Sequence, residues 1–153
     1  MTIKKRLEDD LKEAMKARDE LRLNCLRMLK SKILEKEVSL RAKEGKDYQL
    51  SDEEVIQVAS SYAKQRRDSI ESYRQGGRED LAAKEEKELA VVEDYLPQQL
   101  SRDEIVEIVS GAVEESGASS AKDMGAVMRI VMPRVKGQAD GKLVNQIVRE
   151  LLG

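Results

Sequence analysis

Apolar residues recur along this chain at helical rather than strand spacing from its first turn onward. Ile3, Leu7, Leu11 and Ala14 lie three or four positions apart with charged residues between them, which predicts an amphipathic helix. Asp19 or its neighbour breaks that pattern and starts a second stripe, Leu26, Leu29 and Ile33, running on toward Leu40. A polar connector follows over Gly45 to Leu50. Ser51 and Glu54 then stand at capping-box spacing and open a third helix with Val55, Val58, Ala59, Tyr62, Ile70 and Tyr73 on one face. Gly76-Gly77 punctuates it. A fourth helix carries Leu81, Leu89, Val92 and Leu96 and stops at Pro97, because the residue before a proline is steered out of the helical region.

Three shorter helices are predicted after Pro97. Ser101 and Glu104 repeat the capping-box spacing ahead of Ile105, Val109, Ala112 and Val113, and Gly117 ends that helix. Ser120 with Asp123 opens the next, whose stripe is Met124, Val127, Met128, Val131, Met132 and Val135. Pro133 falls near its end, where it bends the last turn rather than abolishing it. Gly137 suits the left-handed residue just past a helix. Asp140 reads as the N-cap of the last helix, with Leu143, Val144, Ile147, Val148, Leu151 and Leu152 as its apolar face. No run alternates like a strand. The expected fold is all-α: an antiparallel bundle of about four helices over residues 1–97, then a small three-helix subdomain over 98–153.

Composition narrows the function more than the fold. The 153 residues are 38% charged and 40% hydrophobic, a mixture that suits a helical protein. Phe and Trp are absent and the only aromatics are Tyr48, Tyr62, Tyr73 and Tyr95, which argues against sheets or grooves that stack bases. His is absent too, removing the commonest general base and metal ligand. Cys25 is alone within a helical apolar pattern and reads as a small buried hydrophobe. One cysteine makes no intramolecular disulfide. With no signal-peptide core and no apolar run of membrane-spanning length, a cytoplasmic location is expected.

Charge is unevenly distributed. The chain as a whole is −2, but residues 121–153 hold six basic residues against three acidic ones, a net +3. A basic unit on an acidic protein points to a polyanion partner. The run Arg22–Lys32, with four basic residues and no acid, is a second candidate basic face. The KQRR cluster at 64–67 and the acidic row Glu85, Glu86, Glu88 read as laced or solvated helix surface. No catalytic set, zinc spacing or Gly-rich nucleotide loop is present. KGQADGK at 136–142 offers two lysines and a helix N-terminus to a phosphate, opposed by Asp140.

The run DMGAVMRIVMPRVKGQADGKLVNQIVRELL, with KQRRDSIESYRQGGREDLAAKEEKELAVVEDYLPQQL and the earlier LRMLKSKI, resembles the YqeY family over nearly the whole chain. These are small bacterial proteins similar to the C-terminal tail of the GatB component of the tRNA-dependent aspartyl/glutamyl amidotransferase. The resemblance implies two helical subdomains and an association with tRNA. It also brings the amidotransferase's activity label, a carbon–nitrogen ligase using glutamine as amide donor, but no catalytic residue of that enzyme has a matching position here. Fold kinship alone does not carry an active site.

The expectation is therefore a non-catalytic helical module without cofactor or metal. It binds tRNA, or assists a tRNA-dependent amidotransferase or aminoacylation system, through its basic C-terminal unit. Arg129, Arg134, Lys136 and Lys142 are the expected phosphate contacts, Gly137 and Gly141 shape the turn, and Asn145 adds a polar contact. Neither DNA nor a membrane is expected as a partner. The rival readings are a module that docks a partner enzyme and a stand-alone glutamine-dependent ligase.

Overall fold

Seven α-helices and one 3-10 turn make up the computed structural model, which describes residues Met1–Gly153. It contains no strand, so the all-helical class read from the periodicity holds. The chain divides into two units, Met1–Leu96 and Pro97–Gly153.

The first unit contains α1 (Ile3–Lys16), α2 (Glu20–Glu44), α3 (Asp52–Gln75) and α4 (Glu79–Glu93). α2 and α3 start where Asp19 and the Ser51/Glu54 pair predict, Thr2 caps α1, and α4 starts after Arg78 without a side-chain cap. Thr2 accepts from the Lys5 N–H and Asp19 from the Arg22 N–H, while Ser51 and Glu54 form the complete reciprocal box. Each satisfies a backbone donor that the helix cannot, an effect of about 1 kcal/mol per cap. The core gathers Leu7, Leu11, Ala14, Leu26, Leu29, Ile33, Val55, Ala59, Tyr62 and Val92. Fully burying one such aliphatic side chain is favourable by roughly 1.5–3 kcal/mol.

One carboxylate lies in this apolar setting. Glu37, only 4% exposed, accepts from the Lys4 ammonium and from the Leu50 N–H at 3.2 Å, and Arg41 lies 3.8 Å from its other oxygen. It thereby ties the start of α1 and the end of the 45–50 connector to α2. Burial pushes its carboxyl pKa up. The Lys4 and Leu50 hydrogen bonds and the Lys4 and Arg41 charges outweigh burial and hold it below the usual carboxylate range.

The α3–α4 pair corrects two expectations about surface charge. Arg66 bonds Glu85 at 2.8 Å and Glu88 at 3.5 Å, Arg67 bonds Glu93 at 3.1 Å, and Arg74 reaches Glu79 and Glu86. Arg66 and Arg67 of the KQRR cluster are therefore paired across to α4. Glu85 and Glu88 face Arg66 instead of open solvent. The pairing order, rising on α3 as it falls on α4 for Arg66 and Arg74, is that of an antiparallel helical hairpin. Gly77 (φ +73°) makes the turn.

The second unit contains α5 (Arg102–Ser116), a 3-10 turn (Ala121–Asp123), α6 (Met124–Val135) and α7 (Gly141–Leu152). Ser101 and Glu104 form a full capping box, and Gly117 closes α5 in the left-handed conformation. Asp123 accepts from the N–H groups of Ser119 and Ser120, so that capping pair opens the 3-10 turn and α6 follows from it. α6 runs through Pro133 to Val135. Ile105, Val109 and Ala112 pack with Val127, Val131 and Val135 and with Val144, Ile147 and Val148. Two members of the predicted stripes fall outside this core: Met132 is 38% and Leu151 44% exposed.

Candidate nucleic-acid interface

The buried residues of α6, Val127, Val131 and Val135, fix which way that helix presents its charges. At about 100° per residue, Arg129 and the C-cap residue Lys136 fall on the side opposite this core, and Lys122 lies in the 3-10 turn that leads into α6. They are seven residues apart in sequence, which between Arg129 and Lys136 is about 10 Å along the axis at 1.5 Å rise. All three are exposed, and none forms an ion pair. Between them the surface is low: a Cβ added at Gly125 would meet only the Arg129 guanidinium, 3.9 Å away.

Arg134 does not join this row. Its guanidinium bonds Glu115 of α5 at 2.7 Å, with both groups about half exposed, so a phosphate would have to compete with that carboxylate. As an expected phosphate contact, Arg134 therefore starts from an exposed ion pair.

The connector Lys136–Asp140 is built into its unit by backbone bonds. Gly137 has φ +75°, a conformation that costs other residues roughly 1–2 kcal/mol. Its carbonyl accepts from the Gln99 amide at 2.9 Å, and the Gln138 carbonyl accepts from the Leu100 N–H at 2.8 Å. Gly141 has no such role. It is the first residue of α7, its φ is not positive, and nothing lies within 4 Å of an added Cβ. Of the two glycines expected to shape the turn, only Gly137 does.

The start of α7 is a poorer anion site than the sequence suggests. Asp140 accepts from the Lys142 N–H at 3.3 Å, so a carboxylate already occupies the helix N-terminus where a phosphate was envisaged. Beyond the cap, Lys142 and Arg149 again stand seven residues apart, on the side of α7 opposite Val144, Ile147 and Val148, with half-buried Asn145 at the edge of that face. Lys122 and Arg149 were not singled out as contacts from the sequence. The signal that finds them is the seven-residue spacing of cations, which two full helical turns place on one line.

The predicted residues thus divide rather than converge: Arg129 and Lys136 on the outer side of α6, Lys142 with Asn145 on α7, and Arg134 turned to α5. Acidic residues are segregated in the opposite sense, with Asp103, Glu104, Glu107, Glu114 and Glu115 all on α5. Residues 97–153 hold seven basic against eight acidic residues, a net −1, and no aromatic residue. Any polyanion contact on this unit therefore depends on local placement of charge and offers no ring for a base to stack on.

Elsewhere the reactive groups are engaged. Burial, with the nearby Glu88 charge, pushes the Cys25 thiol up to about 11, which leaves it protonated and a poor nucleophile at neutral pH. A cleft of about 490 Å³ between α2 and α3 is lined by Lys32, Lys36, Glu35 and Glu54 among others. Glu54 in that cleft is held by the Tyr48 hydroxyl and the Ser51 cap, and Lys32 sits 5.4 Å over the Tyr62 ring.

Comparison with known proteins gives one family and a set of fungal relatives. The family model described as "Yqey-like protein" matches residues 4–152. A protein of Vanderwaltozyma polyspora named "Altered inheritance of mitochondria protein 41, mitochondrial" is 33% identical over 125 residues, covering 77% of this chain and 64% of its own length. The protein of the same name from Saccharomyces cerevisiae is 37% identical over 92 residues, covering 60% of this chain and 47% of its own. That from Pyrenophora tritici-repentis is 33% identical over 153 residues, covering 97% of this chain and 80% of its own. This chain therefore spans about half to two thirds of the length of the two yeast proteins.

Proposed function

The chain belongs to the family of Yqey-like proteins, and from that premise we propose that it is a non-catalytic helical module that binds tRNA in support of a tRNA-dependent amidotransferase or aminoacylation system. The observation that carries this reading is the set of exposed cations Lys122, Arg129 and Lys136, none of them in an ion pair, along the 3-10 turn and the outer side of α6; exposed Lys142 and Arg149 on α7 add to it. Such contacts read the phosphate backbone and the shape of a folded RNA rather than its bases, as fits a unit without aromatic side chains.

Amide-transfer chemistry is not part of the proposal, since Cys25 is buried with its thiol pushed up to about 11 and Glu85 and Glu88 are both held by Arg66. The location proposed is cytoplasmic. The relatives' names place them in mitochondria, and no helix here is long and apolar enough to cross a membrane.

The test is fluorescence anisotropy of labelled bulk tRNA titrated with the full chain. Three phosphate contacts give a log–log salt slope of about −2 to −3, so affinity falls roughly 20- to 40-fold between about 50 and 200 mM salt. Arg129→Glu with Lys136→Glu should flatten that slope by about 1.4–1.8. Arg134→Glu should act far less, its guanidinium being taken up by Glu115. Absence of saturable binding at the lower salt removes the reading.

A further inference from the structure

The longest helix of the chain, α2, is apolar on two sides. One side, with Leu26, Leu29 and Ile33, is buried in the first unit. On the other, Leu34 and Val38 are 52% and 54% exposed, and Met28 is 50% exposed at the margin. Helical periodicity lines up Arg27, Ser31, Leu34 and Val38 at the i, i+4, i+7, i+11 positions of one stripe, about 16 Å long. No element of the first unit covers it. An exposed pair of aliphatic residues at i, i+4 on a well-anchored helix is the arrangement that receives a second helix.

Charge identifies what kind of helix. Arg27 and Lys30 flank the N-terminal half of the stripe, are exposed and form no ion pair. The neighbouring cations behave differently: Arg22 is held by Asp10 and Glu13, Lys32 lies over Tyr62, and Arg41 is near Glu37. Exposed Glu35 stands on the cleft side of the stripe, and exposed Glu20 lies on its line two turns before Arg27. Three half-exposed apolar side chains are far too few for an obligate interface, which buries about 2,000 Å² or more. A second copy would also bring an equally basic stripe.

We propose that the outer face of α2 docks an acidic amphipathic helix from a partner protein. Its apolar row seats on Leu34 and Val38, and its carboxylates pair with Arg27 and Lys30. The interface is small and transient, and it is independent of the RNA reading, which rests on the second unit.

The experiment uses the full chain and two fluorescein-labelled synthetic peptides with the same leucine stripe, one flanked by glutamates and one by lysines. Anisotropy gives affinity, and ¹⁵N–¹H spectra locate the contact. The expected result is saturable binding of the acidic peptide only, with amide shifts concentrated between Arg27 and Val38. Leu34→Ser with Val38→Ser should weaken it at least tenfold, as should Arg27→Glu with Lys30→Glu. All four positions are exposed, so these variants are expected to fold, and circular dichroism checks that they do. Four outcomes overturn the proposal: equal binding of both peptides, shifts centred elsewhere, preference for phosphatidylglycerol vesicles over the acidic peptide, or concentration-dependent self-association lost in the Leu34/Val38 variant.

Discussion

Replacing Glu37 by Ala is expected to lower the stability of the first unit by about 2–3 kcal/mol, the loss of a hydrogen bond to a buried charged acceptor. The magnitude follows from what each partner does when the carboxylate goes. Leu50, 6% exposed, keeps a buried N–H with no acceptor, and an orphaned buried donor costs about 1–3 kcal/mol. The Lys4 side chain is 29% exposed, so its ammonium can turn to water and Gln49 and adds little. Glu37→Gln leaves an acceptor for Leu50 and is expected to cost about 1 kcal/mol, the difference between a charged and a neutral partner. Urea unfolding followed by far-ultraviolet circular dichroism, fitted with one transition per unit, measures both. With m near 2 kcal/mol/M, the Ala variant should move its midpoint down by about 1–1.5 M.

The pH dependence carries a second signature of the same group. Its folded pKa is depressed, so the carboxylate's contribution is complete above the unfolded value of about 4.3 and is lost as pH falls through the folded one. The gap between wild type and Glu37→Gln should therefore close in acid. A midpoint shift below about 0.3 M for Glu37→Ala, well under the expected displacement, or identical behaviour of the two variants at neutral pH, would refute the reasoning.

Other consequences are as direct. Arg66→Ala leaves Glu85 and Glu88 facing each other. Burial and the Glu85 charge already raise the Glu88 pKa, so the variant's deficit should be greatest at neutral pH and shrink as pH falls through the raised folded value of Glu88; a pH-independent deficit in thermal melts would contradict this. Gly137→Ala should destabilise the second unit by about 1 kcal/mol through its left-handed φ, whereas Gly141→Ala should be neutral or stabilising by a few tenths of that, its Cβ meeting nothing; paired urea midpoints decide. Cys25 should resist a thiol reagent at pH 7 in the folded protein and react fully in denaturant, and rapid native labelling would show that its burial is breached.

The helices and most of their starts were legible because each depends on neighbours in sequence: an i, i+3, i+4 stripe, a Ser three residues before a Glu, a Gly after the last turn. What was not legible depends on contacts between helices. Nothing local distinguishes Glu85 and Glu88, held by Arg66, from an ordinary solvated row. Nor does any local feature say that Arg134 will meet Glu115 while Arg129 meets nothing. Glu37 carries no sequence mark of its burial, which follows only once α1 and the 45–50 connector close over α2. The candidate interface was legible as a segment and as a charge. Its division into an α6 row and an α7 row was written in the seven-residue spacing of its cations, a weaker signal than net charge and easily passed over.

The distribution of aromatic residues also decides how the molecule can be watched. All four tyrosines precede Pro97 and there is no tryptophan, so every photon of intrinsic fluorescence comes from the first unit. Tyr62 and Tyr95 are buried there, each 4% exposed, and will report its melting while the second unit remains dark. A single tryptophan placed at exposed Met132 would give the silent half its own colour, and the two halves could then be followed unfolding in one cuvette.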